Sequence, residues 1–372
     1  MIRPRRTVTA SRAAALVALC SVVVALAGCT SRAQEAASGS ATGFPANAII
    51  GVALPDKTSE NFAIAGQLFI EGLTKAGFSP DVQYAPATNT VAEQQNEIEA
   101  MITRGAKVII IGAKDGSQLS TQVADAKKAG AMVISYDRLI LNTRNVDYYV
   151  AYDNERVGEL QGQALLAGLK AKYPGKTSYN IELFAGSPDD NNSSVFFEGA
   201  MKVLQPKIND GTLKVVSGQT AFKQVTTQGW LAQNAQSRMD TLLAGFYSGT
   251  ELDGVLAPND TLARAILQSV KTAGKPYPIV TGQDSEAASV RLIMQGIQYS
   301  TINKDTRKLV AEAIKMVTEM QRGSRVDVND TTSYNNGAEV VPTFLLTPQL
   351  VTRQNAAESY ATDPTLEPLT RG

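Results

Sequence analysis

The chain has 372 residues, with 35 basic and 35 acidic side chains, two cysteines and no histidine. The missing imidazole excludes Ser-His-Asp and Cys-His catalysis, histidine metal ligation and histidine-based pH sensing. Balanced charge, slightly acidic once the leader is removed, argues against nucleic acid as a partner.

Arg3, Arg5, Arg6 and Arg12 precede an uncharged apolar run from Ala13 to Gly28, the order of a secretory signal. A run this short does not span a bilayer comfortably. Removing residues 1–28 takes away four arginines and no acids, leaving 31 basic against 35 acidic groups. Leu26-Ala27-Gly28-Cys29 resembles a bacterial lipobox, which implies lipidation of Cys29 as the first mature residue and anchorage to the cell membrane. Cys20 leaves with the signal, so the mature chain forms no disulfide. Arg5-Arg6 reads as ordinary leader charge rather than a twin-arginine signal. Residues 29–47, rich in Ser, Ala, Gly and Thr, read as a flexible tether.

Strands and helices then alternate. Ala48–Leu54 is a continuous apolar run of the kind buried in parallel sheets, and a helix over Ser59–Ala76 follows. Further strands are predicted at 81–84, 107–112, 132–136 and 148–152, with helices at 91–104 and 117–129 between the earlier ones. The pattern resumes with helix 154–171, strand 180–186, helix 192–206, strand 213–217 and helix 230–244. Strands at 254–257 and 279–282 flank helix 261–272. A strand at 299–302 and a helix at 306–321 come near the end, and residues 356–372 read as a polar surface tail. This order predicts an α/β fold of right-handed βαβ units in two similar halves, each with a parallel sheet.

Ligands in such sheets gather beyond the carboxyl ends of the strands. Those exits carry Asp137-Arg138, Asp153-Asn154, Asp189 to Asn192, Asn259-Asp260, Gln283-Asp284 and Asn303-Lys304-Asp305. Asp or Asn before a helix also serves as an N-cap, and for any single position that reading is as good. Repetition, together with Arg and Lys that cap poorly, favours a polar site. Asp, Asn and Arg match the donors and acceptors of a polyhydroxylated ligand, and Phe62 or Trp230 could cover an apolar sugar face. Core packing is the ordinary role of a lone aromatic, but the polar stretch Lys223–Gly229 beside Trp230 weakens it there. Asp327-Val328-Asn329-Asp330 lacks the spacing of a calcium loop. Nothing calls for a cofactor or metal.

Five ordered strings, Ser135–Ile140, Asp153–Gln161, Gly186–Asn192, Gly282–Asp284 and Thr301–Lys304, resemble the periplasmic sugar-binding proteins of ABC importers over residues 48–353. The likeness is greatest to the D-xylose-binding and ChvE-like multiple-sugar-binding branch. It implies a type I periplasmic binding protein: two Rossmann-like lobes joined by three hinge strands, with a monosaccharide held between them. The implied parse is 48–152 plus 285–325 for the first lobe and 153–284 plus 326–355 for the second. Carried over by residue, Asp137, Arg138 and Lys304 come from the first lobe, and Asp190, Asn192, Trp230, Asn259 and Asp284 from the second. Asp153, Asn191, Gln219 and Asp260 serve either as contacts or as caps and supports.

Asn61 and Phe62 stand where those relatives carry Arg-Trp, so the sugar is not carried over. Glu60-Asn61-Phe62 resembles the Asp-Asn-Phe of glucose/galactose-binding proteins, which adds Glu60 as a candidate. The resemblance implies a monomeric, non-enzymatic extracytoplasmic protein that closes on xylose, glucose, galactose or arabinose and delivers it to an ABC permease. The alternatives are presentation of a sugar or autoinducer-2 to a sensor kinase, and a glycosidase using paired carboxylates among Asp137, Asp190 and Asp284.

Overall fold

The computed structural model describes residues 43–57, 59–86 and 91–371; the signal, Cys29 and the tether as far as residue 42 lie outside them. Residues 43–47, expected to be flexible, are docked. Phe44 packs on the first core, and its carbonyl accepts from Gln321 Nε2 at 3.2 Å.

The first half runs β1 (Ile49–Leu54), α1 (Glu60–Lys75), β2 (Ser79–Tyr84), α2 (Ala92–Thr103), β3 (Val108–Ile111), α3 (Ser120–Lys128), β4 (Met132–Tyr136) and β5 (Tyr148–Tyr152). The second runs α4 (Asn154–Lys172), β6 (Tyr179–Leu183), α5 (Asn191–Asn209), β7 (Leu213–Val215), α6 (Phe222–Val225), α7 (Ala232–Phe246), β8 (Gly254–Leu256), α8 (Asp260–Thr272), β9 (Ile279–Val280), α9 (Ala287–Met294) and β10 (Ser300–Asn303). The chain closes with α10 (Thr306–Gln321), β11 (Thr343–Leu346), β12 (Gln349–Thr352) and α11 (Ala356–Ser359).

Two parallel sheets result, as the alternation predicts. One has the order β11-β5-β4-β3-β1-β2 and the other β7-β6-β8-β9, while β10 and β12 form a small antiparallel pair. All four residues of β3 are buried, as a central parallel strand requires. Phe62, Phe69 and Leu73 of α1 meet Leu309, Ala313 and Met316 of α10 on one face of the first sheet. Ile98, Met101, Val123 and Ala126 of α2 and α3 cover the other. The second sheet is enclosed in the same way by α7 and α8 on one side and by α4 and α5 on the other. Each large apolar side chain so buried contributes roughly 1.5–3 kcal/mol.

Helices α4 and α5 approach closely because Gly158 and Gly199 lie at their contact; a side chain at either would meet the backbone of Phe196 or Glu155. This brings the N-termini of both helices to the junction of the halves.

The expected lobe boundaries need correction. Residues 285–303, expected in the first lobe, lie with the second: Leu292 and Ile297 pack on its core, and Ile302 packs with Val157, Leu160 and Phe196. Residues 326–346, expected in the second lobe, lie with the first: Val326 and Val341 are in its cores, and β11 pairs in parallel with β5, Phe344 opposite Val150. The described crossovers therefore fall at residue 153, at 304–305 and at 347–348. Strands β11 and β12 have no flanking alternation to announce them; their partners are remote in sequence. The polar tail is also corrected. Tyr360 is 1% exposed, packed with Val290, Val351 and Ala356.

Candidate functional site

Strand exits of both sheets converge on a cleft of about 300 Å³. Asn61, Phe62, Asp137, Arg138, Asp190, Asn192, Trp230, Asn259, Asp284 and Lys304 all line it. The two halves touch across it: Asn192 Nδ2 donates to the Asp137 carbonyl at 2.7 Å, and Gly116 N to the Asp189 carbonyl at 3.4 Å.

Capping and facing the cleft are not alternatives. Asp190 Oδ1 accepts from Asn192 N at 3.0 Å and caps α5, while Oδ2 takes Arg138 Nε at 3.1 Å and Trp230 Nε1 at 3.2 Å. Asn259 caps α8 through Oδ1, accepting from Leu262 N, and still lines the cleft. Burial raises the Asp190 pKa above the ordinary carboxyl value; Arg138 opposes this and Asp137 adds to it.

Lys304, expected in the first lobe, sits on the second crossover. Its Nζ lies 3.0 Å from Asp284 Oδ1 and 3.9 Å from Asp137 Oδ1. Burial works to lower its pKa, but Asp284, Asp137 and Asp190 together outweigh burial and the net direction is upward. The ammonium is thus held charged by its neighbours.

The backbone is bent to present these groups. Asp137 (φ 60°), Trp230 (φ 55°), Asp284 (φ 95°) and Ser285 (φ 55°) occupy the left-handed region that non-glycine residues rarely adopt. Arg138 N donates to the Tyr136 carbonyl at 2.6 Å, closing a tight turn around Asp137, whose own carbonyl is fixed by Tyr149 Oη at 2.7 Å. Such strain persists where the surroundings over-determine it, and it concentrates at functional sites.

Two aromatic surfaces flank the polar groups. The Trp230 indole lies against Gly186, where any side chain would overlap the ring. Phe62 is buried in the first core, with the Arg138 guanidinium 5.2 Å from its ring centroid.

The remaining candidates lie elsewhere. Asp153 caps α4, accepting from Arg156 N, and with Asn191 lines a separate cavity of about 520 Å³ between the halves. Gln219 accepts from Arg238 Nη2, and Glu60 does not line the cleft. Asp260 is fully buried beneath it, accepting from Gln298 Nε2, Thr301 Oγ1 and Glu286 N. Asp330 turns on itself, accepting from Thr332 and Ser333 N, which fits a polar turn.

Sequence reasoning missed Asp56, Lys114, Phe196 and Gln228 as cleft residues, while Asp189 and Gln283, noted at the strand exits, line it as well. Asp56 and Lys114, 3.4 Å apart, leave β1 and β3, so the strand-exit rule could have found them. Phe196 projects from within α5 and carries no such signal; Lys304 Nζ lies 5.4 Å from its ring centroid.

Comparison with known proteins gives a consistent result. A family model described as a periplasmic binding protein domain matches residues 50–325. The multiple sugar-binding periplasmic receptor ChvE of Rhizobium radiobacter is 45% identical over 311 residues, 82% of this chain and 87% of its own. The D-xylose-binding periplasmic protein of Escherichia coli strain K12 is 33% identical over 315 residues, 84% of this chain and 89% of its own. An ABC transporter solute binding protein from Clostridium phytofermentans with bound β-D-glucose aligns with a TM-score of 0.82 at 40% identity, covering 87% of this chain and all of that one.

Proposed function

The chain belongs to the periplasmic binding protein domain family, and on that premise we propose that it captures a neutral monosaccharide in the cleft and delivers it to an ABC permease. The observation that carries this reading is the set of charged pairs joining the two halves, Arg138 with Asp190 and Lys304 with Asp284 and Asp137, beside the Trp230 and Phe62 rings. A sugar hydroxyl both donates and accepts, so it can insert between paired acid and base and satisfy each. A carboxylate or phosphate would have to displace an acid from its cation first.

In this reading Asp137 and Arg138 grip adjacent hydroxyls, and Asp190, Asn192, Asn259, Asp284 and Lys304 hold the remainder. Asn61 lines the cleft beside Phe62. Trp230 stacks on the apolar face of the ring, and Phe62 backs Arg138. Residues from both halves bind one ligand, so the ligand stabilises the closed form over an open one. The paired carboxylates recognise hydroxyls and do no chemistry. Lipidation at Cys29 would keep this monomeric, extracytoplasmic protein at the membrane beside its permease. Among the described residues no helix is long and apolar enough to cross a membrane.

The test is a melting-temperature panel with xylose, arabinose, glucose, galactose, ribose and fucose, followed by calorimetry. A ligand that binds only the folded state must raise the midpoint. A panel in which no sugar shifts it, or release of new reducing ends from oligosaccharides, overturns the reading.

A further inference from the structure

We infer that Tyr360, in the C-terminal segment, is a positioning residue of the cleft: through Ser285 it holds the loop that aims Asp284. The inference rests on the reading of the cleft as a sugar site.

The loop at 284–286 is conformationally costly. Asp284 and Ser285 are consecutive non-glycine residues at φ 95° and 55°, a combination that survives only when the surroundings impose it. Three constraints come from nearby chain. Asp284 N donates to the Ile302 carbonyl at 2.9 Å, Ser285 N to Thr301 Oγ1 at 3.1 Å, and Glu286 N to Asp260 Oδ2 at 3.0 Å. These fix the backbone amides and leave the Ser285 side chain unaddressed.

The fourth constraint arrives from outside. Tyr360 Oη donates to Ser285 Oγ at 2.7 Å in a buried setting. Its ring is enclosed by Val290, Val351 and Ala356, so the hydroxyl has a fixed origin. The segment beyond it is tied down as well: Arg307 Nη1 donates to the Thr362 carbonyl at 2.9 Å, and Arg307 Nη2 lies 3.1 Å from Asp363. Among the described residues none from 356–371 lines the cleft, yet through Tyr360 the segment reaches within one residue of Asp284, whose carboxylate holds Lys304 at 3.0 Å. Without the hydroxyl, Ser285 is released on its side-chain face and the strained pair has one fewer reason to keep its angles.

The experiment uses the full mature chain with Tyr360→Phe, which keeps the ring and removes the hydroxyl, and Ser285→Ala, which removes the same bond from the other side. Amide hydrogen exchange at 284–286 without sugar should quicken about fivefold in both variants, from the loss of one net hydrogen bond. Unchanged exchange overturns the inference whether or not a sugar has been identified. With a sugar in hand, Tyr360→Phe should weaken binding about three- to tenfold and change the affinity ratio between epimers. It should cost nothing further in an Asp284→Asn background. An unaltered epimer ratio, or fully additive losses, overturns it. Failure of the wild-type protein to bind any sugar counts against the functional reading, and the exchange measurement then decides the role of Tyr360 by itself.

Discussion

Arg138 Nε stands 3.1 Å from Asp190 Oδ2, joining the exit of β4 in one half to the N-terminus of α5 in the other. The Arg138 side chain is 14% exposed and that of Asp190 4%, and the same Asp190 carboxylate also accepts from Asn192 N and Trp230 Nε1. One carboxylate thus caps a helix, steers an indole and links two halves of the molecule.

Removing the cation should be costly to binding. Truncating one member of a buried, hydrogen-bonded charge pair costs about 2–5 kcal/mol, so Arg138→Ala should weaken sugar affinity about 30-fold or more. Calorimetry checks this, with far-ultraviolet circular dichroism to show that the fold is kept. Affinity within a few-fold of wild type would remove Arg138 from the site.

The Trp230 indole can be tested without touching it. Because a side chain at Gly186 overlaps the ring, Gly186→Ala should displace the indole and weaken binding about tenfold, within the usual 1–3 kcal/mol of overpacking. Trp230 is the sole tryptophan of the chain, so its fluorescence reports the displacement directly. A changed emission maximum with unchanged affinity would mean that the ring is not a ligand platform.

Acid should weaken binding earlier than an ordinary carboxylate would. Burial raises the Asp190 pKa, so as pH falls Asp190 takes up its proton above the usual carboxyl range and the charged link to Arg138 is lost. Affinity measured against pH should show its acid limb displaced upward relative to a typical Asp, and Asp190→Asn should abolish that limb. A limb that persists in Asp190→Asn would assign it elsewhere.

Stability has a separate titration remote from the cleft. Burial, with Glu93 and Asp81 adding to it, pushes Glu97 up from 4.5 to about 7. A carboxyl whose folded pKa is raised contributes stability that is full below about 4.5 and is lost as pH rises through about 7. Glu97→Gln should therefore melt about 2 °C higher than wild type at pH 8 and gain nothing at pH 4. Differential scanning calorimetry at the two pH values decides it, and an equal shift at both would point to a cause other than titration.

The legible part of the molecule was local. Continuous apolar runs such as Val108–Ile111 and the 3.6-residue pattern of Thr306–Gln321 are set by which face each residue buries, so element type and the two-sheet α/β class follow from the chain itself. Strand-exit residues such as Asp137, Asp190 and Asp284 were legible for the same reason: in a parallel sheet all the strands end on one side.

What escaped depended on partners far away in sequence. Strand β11 is defined by β5, and β12 by β10, through pairing with strands remote in sequence. Tyr360 looked like part of a polar tail because no property of residues 356–372 records that Val290 and Ser285 await it. Nor could the sequence separate cap from cleft residue. Asp153 and Asp190 are both extended N-cap residues, of α4 and α5, yet only Asp190 faces Arg138 across the cleft. The alternation, the family likeness and the chemical types at the strand exits could be read along the chain, because they are properties of neighbouring residues. Which exits meet, where the chain crosses and which side chains hold the exits strained follow from packing between remote segments, and the folded molecule alone settles them.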